Sequence, residues 1–380
     1  MSAADQHRPG FLALELDGDG AHPAAWRAAR HTPAELLSGE RIRSTVLAAE
    51  SAGFHIATFS DGPLGGGEDI GGRLDAVQRA AFAGPITHSI ILVPEVDTVY
   101  TEPFHVATQL ASLDYVSGGR SGWLVAAEGT EREGAAVGRG AIEGDARALE
   151  AAASVEVGRR LWDSWEDDAV IRDVNSGRYL DVDKLHYADF ETGPDFPGPG
   201  YSVKGPAIIP RPLQGQLPVL APAELVADGL PLGGPESGID AVLVTAASAE
   251  QLPAAAAQVR ERSQGAVAVI AELDVVLDAR GQCAAERVAH LDAHTPWISS
   301  RARYAGGAEG LVELLTEILA TADGVRLHPA VLDVDLDELS RLVLPVLRRK
   351  GVLVPIEADA TFRDLLGLGR AANRYETVGN

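Results

Sequence analysis

The chain has 380 residues, 46% of them hydrophobic, and a formal net charge of −23. This apolar fraction supports a large core, and the negative charge disfavours nucleic acid and anionic membrane surfaces as partners. The single cysteine, Cys283, excludes an internal disulfide, and no cluster of Cys and His surrounds it, so we expect no bound metal.

The amino-terminal residues show no basic region followed by an apolar run. No stretch of about 18 uncharged apolar residues occurs anywhere in the chain. We therefore expect a cytoplasmic globular protein that is neither secreted nor embedded in a membrane.

Short apolar or β-branched runs alternate along the chain with longer segments of helical period, which is typical of βα units around a parallel sheet. The eight predicted strands are Phe11–Leu16, Phe54–Phe59, His88–Val93, Gly122–Ala127, Pro218–Ala221, Ala241–Val244, Ala266–Leu273 and Val325–Leu332. Eight parallel strands close a barrel. The sequence therefore predicts an α/β fold, a (β/α)8 TIM barrel that spans residues 1–380 as one domain.

Two of the predicted helices carry clear signals at their ends. Thr32 and Glu35 form a capping-box pattern before a helix that should end at Gly53. Ser248 and Gln251 repeat the pattern before an alanine-rich segment. Both helices should pack on the outside of the barrel.

The stretch 167–216 does not fit a minimal barrel. It is rich in Gly, Pro and Asp and separates the fourth helix from the fifth strand by about fifty residues, far more than an ordinary loop. We expect an ordered excursion over the surface or the mouth of the barrel.

A specific pattern occurs in Ser112–Trp123, which reads SLDYVSGGRSGW. Further matching segments are Ala21–Arg27, Phe59–Gly62, Tyr100–His105, Leu161–Ala169, Val203–Pro206, Pro210–Gly215, Leu344–Gly351 and Thr361–Leu368. In content and order they resemble the bacterial luciferase-like flavin-dependent monooxygenases, in the branch of the nitrilotriacetate, sulfone and alkane monooxygenases. The resemblance implies a barrel whose carboxyl-terminal mouth uses reduced FMN and O₂ to oxidise a small organic substrate. It also implies a flavin reductase as partner, and a homodimer or a heterodimer with a homologous barrel.

The resemblance and the ends of the strands together give candidate site residues. The catalytic candidates are His22, Asp61 and Tyr100, and the cofactor-binding candidates are Ser60, Thr98, Ala127 and Ala221. Each catalytic candidate also has a structural interpretation: Asp61 in a turn, Tyr100 in packing, and His22 as the cap of a helix near Pro23.

The resemblance fails where a flavin phosphate would bind. The family usually places hydroxyl and amide donors on strand four, on the following helix and after strand five, because a phosphate needs hydrogen-bond donors. This chain has Leu124, Ala126, Ala127, Ala148 and Glu224–Val226 at the corresponding positions. Glu95 and Glu128 add negative charge nearby, so we expect FMN binding in the usual pose to be much weakened.

A second departure lies between His290 and Tyr304, where this branch usually carries a long insertion over the substrate.

Three hypotheses therefore remain. The first is a reduced-flavin monooxygenase whose phosphate site uses backbone amides and Arg27 or Arg301. The second is a degenerate barrel that has lost FMN binding and acts as a partner subunit or a small-molecule binder. The third is an enzyme that uses deazaflavin F420 or another chemistry in the same mouth.

Overall fold

The computed structural model describes residues 8–61, 72–194, 196–197, 200–232 and 238–375. The strands in these ranges are β1 (Phe11–Glu15), β2 (Ile56–Phe59), β3 (Ile91–Asp97), β4 (Trp123–Ala126), β5 (Val170–Asp173), β6 (Arg178–Leu180), β7 (Phe190–Glu191), β8 (Ser202–Val203), β9 (Val219–Pro222), β10 (Ala241–Val244), β11 (Ala268–Leu277), β12 (Ala302–Gly306) and β13 (Gly324–Pro329). The helices are α1 (Gly39–Ala52), α2 (Ala76–Ala83), α3 (Pro103–Ser117), α4 (Glu131–Ala136), α5 (Asp145–Asp163), α6 (Ala223–Ala227), α7 (Leu252–Arg262), α8 (Ala284–Asp292), α9 (Ala308–Ile318), α10 (Leu332–Glu338), α11 (Leu344–Arg349) and α12 (Phe362–Leu366). Among the described helices none has the length and apolar character needed to cross a bilayer.

Eight parallel strands close into a barrel in the order β1-β2-β3-β4-β9-β10-β11-β13, with β13 pairing back to β1. All eight predicted strands are present, and the predicted TIM barrel is confirmed. The observed β3 begins later than predicted because the Glu50 carboxylate accepts hydrogen bonds from the backbone N–H groups of His88, Ser89 and Ile90. The end of β11 is longer than predicted because β12, a strand outside the eight, pairs with its residues 273–277.

The helix ends partly follow the sequence signals. Thr32 and Glu35 form the predicted capping box, but it begins a 3₁₀ turn, and α1 starts anew after Ser38. Gly53 ends α1 with a φ of 86°, as predicted. The predicted cap at Ser248 is wrong: its side chain makes no cap hydrogen bond, and a 3₁₀ turn separates it from α7.

Alternate residues of each barrel strand face the barrel interior or the surrounding helices. At the amino-terminal end of the strands the interior is apolar, with Phe11, Ile91 and Ile270 in one buried cluster. Phe362 of α12 is fully buried in the same cluster and closes this end of the barrel. Because this apolar cluster plugs the amino-terminal end, the barrel opens at the carboxyl-terminal end.

The excursion of residues 167–216 is ordered where the structure describes it, with an antiparallel pair β5–β6 and a second pair β7–β8. It packs on the outer face of α3 and α5, where Phe190 and Ala207 join Leu161 in a buried cluster. The indole N–H of Trp165 donates to the Ala207 carbonyl at 2.8 Å. The excursion therefore lies on the barrel's surface, and none of its described residues lines the mouth.

Candidate active site at the barrel mouth

A cavity of about 860 Å³ opens at the carboxyl-terminal ends of the barrel strands. Its volume lies in the range of small-molecule and cofactor sites. Inward-facing residues of the strands line it: charged groups come from β1, β11 and β13, and apolar groups come from β4, β9 and β10. The mouth therefore has one charged side, called the charged floor below, and one apolar wall.

Arg326 of β13 is the centre of the charged floor. Its guanidinium donates to the Glu15 carboxylate, to Glu272 Oε1 at 2.9 Å and to Thr58 Oγ1 at 2.9 Å. Glu95 Oε2 lies 4.0 Å from the same guanidinium. One cation thus faces three carboxylates, all of them largely removed from solvent.

Because one cation faces three carboxylates, the pKa values of the three differ. Burial opposes ionisation of Glu272, but the hydrogen bond from His328 and the charge of Arg326 lower its pKa to about 2. Burial also opposes ionisation of Glu15, but the charge of Arg326 and the hydrogen bonds from Thr58 and Arg326 lower its pKa. Burial raises the pKa of Glu95 to about 7, because Arg326 is farther away and Glu15 repels a further charge. Glu95 is therefore the group on the floor that can gain or lose a proton near neutral pH.

His328, two residues beyond Arg326, also faces the mouth. Its Nε2 lies 3.1 Å from Glu272 Oε1, and because that carboxylate is ionised, Nε2 carries the proton. Burial and the nearby Arg326 lower the pKa of the imidazole, so it is neutral at pH 7. Nδ1 is then a lone-pair acceptor.

The apolar wall contains Leu124 and Ala126 of β4, Pro222 of β9 and Leu243 of β10. Such a wall suits a flat or aliphatic group that must be shielded from water. Sequence-predicted phosphate positions adjoin it, since Ala127, Glu224 and Leu225 line the same cavity.

The four arginines of the mouth already have carboxylate partners. Besides Arg326, Arg73 pairs with Asp17 at 2.9 Å and Arg301 pairs with Asp274 at 2.7 Å. The fourth, Arg147, is an α5 residue that lines the mouth and pairs with Asp228 at 3.4 Å. The positive charge of each of these arginines is therefore balanced by a carboxylate of the protein itself.

Seven acidic residues line the same cavity, against these four arginines. Glu128 and Glu224 form no ion pair with any residue the structure describes, and both are exposed at the ends of β4 and β9. The described part of the mouth therefore carries an excess of negative charge.

Three of the sequence-predicted site residues line the cavity: His22, Ser60 and Ala127. The Ser60 N–H donates to Glu15 Oε1 at 3.0 Å, which ties β2 to the charged floor. His22 is buried, accepts a hydrogen bond from the Ala24 N–H at 2.9 Å and bonds to Asp292 at 3.1 Å. Its role as a cap is therefore present in the structure, and burial lowers its pKa.

The other four candidates do not line this cavity. Asp61 accepts a hydrogen bond from the Ala76 N–H in the first turn of α2 at 2.6 Å, and Asp75 is the N-cap of that helix. Tyr100 lies beside Arg139, with its hydroxyl donating to the Gly140 carbonyl at 3.2 Å.

Thr98 and Ala221 are buried within the barrel wall. The Thr98 hydroxyl donates to the Ala126 carbonyl at 2.8 Å, and Ala221 is packed in the main core. Of the two arginines considered for a phosphate, Arg301 lines the mouth, whereas Arg27 is exposed beside Trp26.

Sequence reasoning missed Glu15, Glu272, Arg326, His328 and Arg147. The signal for the first four was present: each is a polar residue at an inward position of an otherwise apolar strand, as in AELDVVL and GVRLHP. Arg147 has no such signal, because its position depends on how α5 begins beside β4.

A flavin's ring fits the apolar wall, but its phosphate does not fit the residues at the ends of β4 and β9. Leu124, Ala127 and Leu225 have no side-chain donor. The Glu128 N–H, a possible backbone donor, already donates to Asp97 Oδ1 at 3.1 Å. Glu128 and Glu224 would repel the phosphate.

Residues 21–344 match the family model described as luciferase-like monooxygenase. The chain is 31% identical to N-acetyl-S-(2-succino)cysteine monooxygenase of Bacillus subtilis over 57% of this chain and 49% of that protein. It is also 31% identical to dibenzothiophene-sulfone monooxygenase of Rhodococcus erythropolis, over 60% of this chain and 51% of that enzyme. The matched regions thus cover about half the length of these relatives.

Among solved structures, EDTA monooxygenase from Chelativorans sp. BNC1 superposes with a TM-score of 0.77 at 18% identity, covering 96% of this chain and 99% of that one. At this identity the likeness shows a shared fold.

Proposed function

Because the chain belongs to the luciferase-like monooxygenase family, we propose that its mouth binds a small organic substrate that is oxidised there by O₂, with a reduced flavin as the source of electrons. The observation that carries this proposal is the cavity of about 860 Å³ with an apolar wall facing a charged floor. Such a cavity can shield an oxidation from water on one side and fix a polar group on the other.

The chain's own residues would divide this work between them. Leu124 and Leu243 cover an apolar group and exclude water from it. Glu272 fixes the ring of His328, so that Nδ1 meets the substrate in one orientation. Glu95, with its pKa of about 7, can hold or release a proton at neutral pH.

The poor fit of the phosphate bears on how a flavin is used. A flavin that is held weakly would exchange, entering reduced and leaving oxidised, and a separate flavin reductase would supply it. The mouth need not retain such a flavin as a resident group, so we propose that it is a co-substrate.

A second candidate function is a barrel that has lost flavin chemistry and binds a small molecule or a partner subunit. Two observations favour it: Glu128 and Glu224 at the phosphate positions form no ion pair with a described residue, and the connection of residues 293–301 between α8 and β12 is short. Without a longer cover at that place, the mouth remains open to water.

The experiment that separates the two uses ¹⁸O₂. The chain is mixed with reduced FMN, ¹⁸O₂ and a panel of small amines, thioethers and alcohols, and products are examined by mass spectrometry. The proposal expects a product carrying one ¹⁸O atom that a variant with a filled mouth, Ala126→Phe, does not form. Absence of labelled product from every compound, with flavin oxidation no different from buffer, would favour the binding protein.

A further inference from the structure

His328 offers the mouth a hydrogen-bond acceptor that the protein itself does not use. Its side chain is only 4% exposed, and Nε2 is taken by Glu272. Nδ1 has no hydrogen-bond partner among the described residues. It is also not one of the unpartnered side-chain atoms that the protein encloses completely. A buried acceptor that reaches an open cavity is completed by a donor from a ligand.

The charged floor sets one guanidinium against three carboxylates. Arg326 is shared by Glu15 and Glu272, and Glu95 lies 4.0 Å away with the same guanidinium as its nearest cation. Glu272 connects this group to His328, because its Oε1 accepts from both Arg326 and His328. The unused acceptor and the underpaired carboxylate thus belong to one connected cluster.

The other charged residues of the mouth also favour a ligand that donates hydrogen bonds and carries positive charge. Arg73, Arg147 and Arg301 are each paired, while Glu128 and Glu224 have no ion-pair partner among the described residues. A cavity with an excess of one sign of charge attracts ligands of the opposite sign and repels those of its own. The mouth therefore disfavours anions.

We propose that the mouth recognises a small organic molecule that carries a protonated amine. The ammonium N–H groups donate to His328 Nδ1 and to the Glu95 carboxylate. The apolar remainder lies against the wall formed by Leu124, Ala126 and Leu243. This inference rests on the proposed function in one respect, namely that the bound amine is the substrate.

The test compares three probes with the same chain length: 1-hexylamine, 1-hexanol and hexanoate. Each is titrated into the full-length protein by calorimetry, without flavin. We expect 1-hexylamine to bind about tenfold tighter than 1-hexanol, because a charge-assisted hydrogen bond exceeds a neutral one by that much. Hexanoate should show no binding.

Two variants locate the effect. Glu95→Gln keeps the shape of the side chain and removes its charge, and His328→Leu removes the ring acceptor while Arg326 still donates to Glu272. Each should reduce the preference for 1-hexylamine over 1-hexanol by several-fold. The control Glu261→Gln, on the exposed surface of α7, makes the same change of charge and should leave the preference unchanged.

Equal binding of 1-hexylamine and 1-hexanol, or a preference that survives both variants in folded protein, would overturn the inference. These outcomes are distinct from failure of the proposed function. If the amine binds as expected and no ¹⁸O product forms, the amine site stands and the oxidation does not. If oxygenated product forms without amine preference, the reverse holds.

Discussion

Arg326 holds together the carboxylates of the charged floor. Replacing it with methionine, Arg326→Met, leaves Glu15 and Glu272 buried without their cation. We expect the free energy of unfolding to fall by about 3–5 kcal/mol, measured by urea denaturation. Arg30→Met removes an exposed pair with Asp337 and should cost about 1 kcal/mol or less. Equal costs for the two variants would contradict this role of Arg326.

Glu95 gives the charged floor a pH dependence of known sign. Its pKa rises from the ordinary 4.5 to about 7 on folding, so the folded chain retains a proton that the unfolded chain loses between these pH values. The stability contributed by Glu95 therefore decreases as pH rises through this range, by about 3 kcal/mol in total.

The measurement is the free energy of unfolding at pH 5 and pH 8 for the unmodified chain and for Glu95→Gln. The difference between the two proteins isolates Glu95 from other titrating groups. We expect the variant to gain stability relative to the unmodified chain by about 2.5 kcal/mol between pH 5 and pH 8. A difference that does not change with pH would show that Glu95 titrates normally.

At the residue scale the sequence indicated where to look but selected only part of the lining. Ser60 and His22 were found because they follow β2 and β1. Asp61 and Tyr100 follow strands too, yet their side chains hydrogen-bond to backbone groups outside the mouth, at the start of α2 and at Gly140. Position after a strand does not fix which way a side chain turns, whereas strand alternation would have placed Glu272 and Arg326 inside.

The short helix α12 acts as the plug at the amino-terminal end of the barrel. Phe362 is fully buried, and a Cβ on Gly122 would lie 2.5 Å from its ring. Phe362→Ala should lower the free energy of unfolding by about 3–5 kcal/mol through the cavity it leaves. Gly122→Ala should cost about 1–3 kcal/mol through overpacking.

The two positions should be coupled because they share one space. In the double variant Gly122→Ala with Phe362→Ala, the added methyl group occupies part of the cavity. We expect the combined cost in urea denaturation to be smaller than the sum of the single costs. Strictly additive costs would show that contact with Phe362 is not the reason for glycine at position 122.

Elements were predicted more successfully than residues, because the alternation of apolar runs and helical periods repeats over many positions. The eight strands could be recognised in this way. The break at Ser38 could not, since a local hydrogen bond from the Arg41 N–H starts α1 there. Nor could β12, which among the described strands pairs with the end of β11 alone.

The whole molecule is predicted to form a dimer, and the structure changes which residues can form the interface. Helical spacing predicts Val106, Leu110, Leu113 and Val116 of α3 as the dimer interface, but the first three are buried within the chain's own core. The neighbouring helices α2 and α3 keep exposed apolar side chains, called the apolar patch below: Phe82 is 40% exposed and Val116 is 49% exposed. Such a patch suits an interface between helices.

We therefore expect light scattering at micromolar concentration to give a dimer. The double variant Phe82→Glu with Val116→Lys places charges in the patch and should shift the protein to monomer. A strict monomer before mutation, or a dimer unaffected by these charges, would contradict an interface on this face of α2 and α3.

The central claim concerns the whole mouth: its shape suits a flavin ring, and its charge opposes a flavin phosphate. The measurement that tests this most directly is anaerobic titration of the protein with FMN and with riboflavin, which lacks the phosphate, each in the oxidised and the reduced state. Fluorescence reports the oxidised forms and calorimetry the reduced ones.

The account predicts that FMN binds no tighter than riboflavin, with a dissociation constant of roughly hundreds of micromolar or weaker. Glu128→Gln combined with Glu224→Gln should strengthen binding of FMN and leave riboflavin unchanged, since only FMN carries the repelled charge. Micromolar binding of FMN by the unmodified chain, at least about tenfold tighter than riboflavin, would contradict the account.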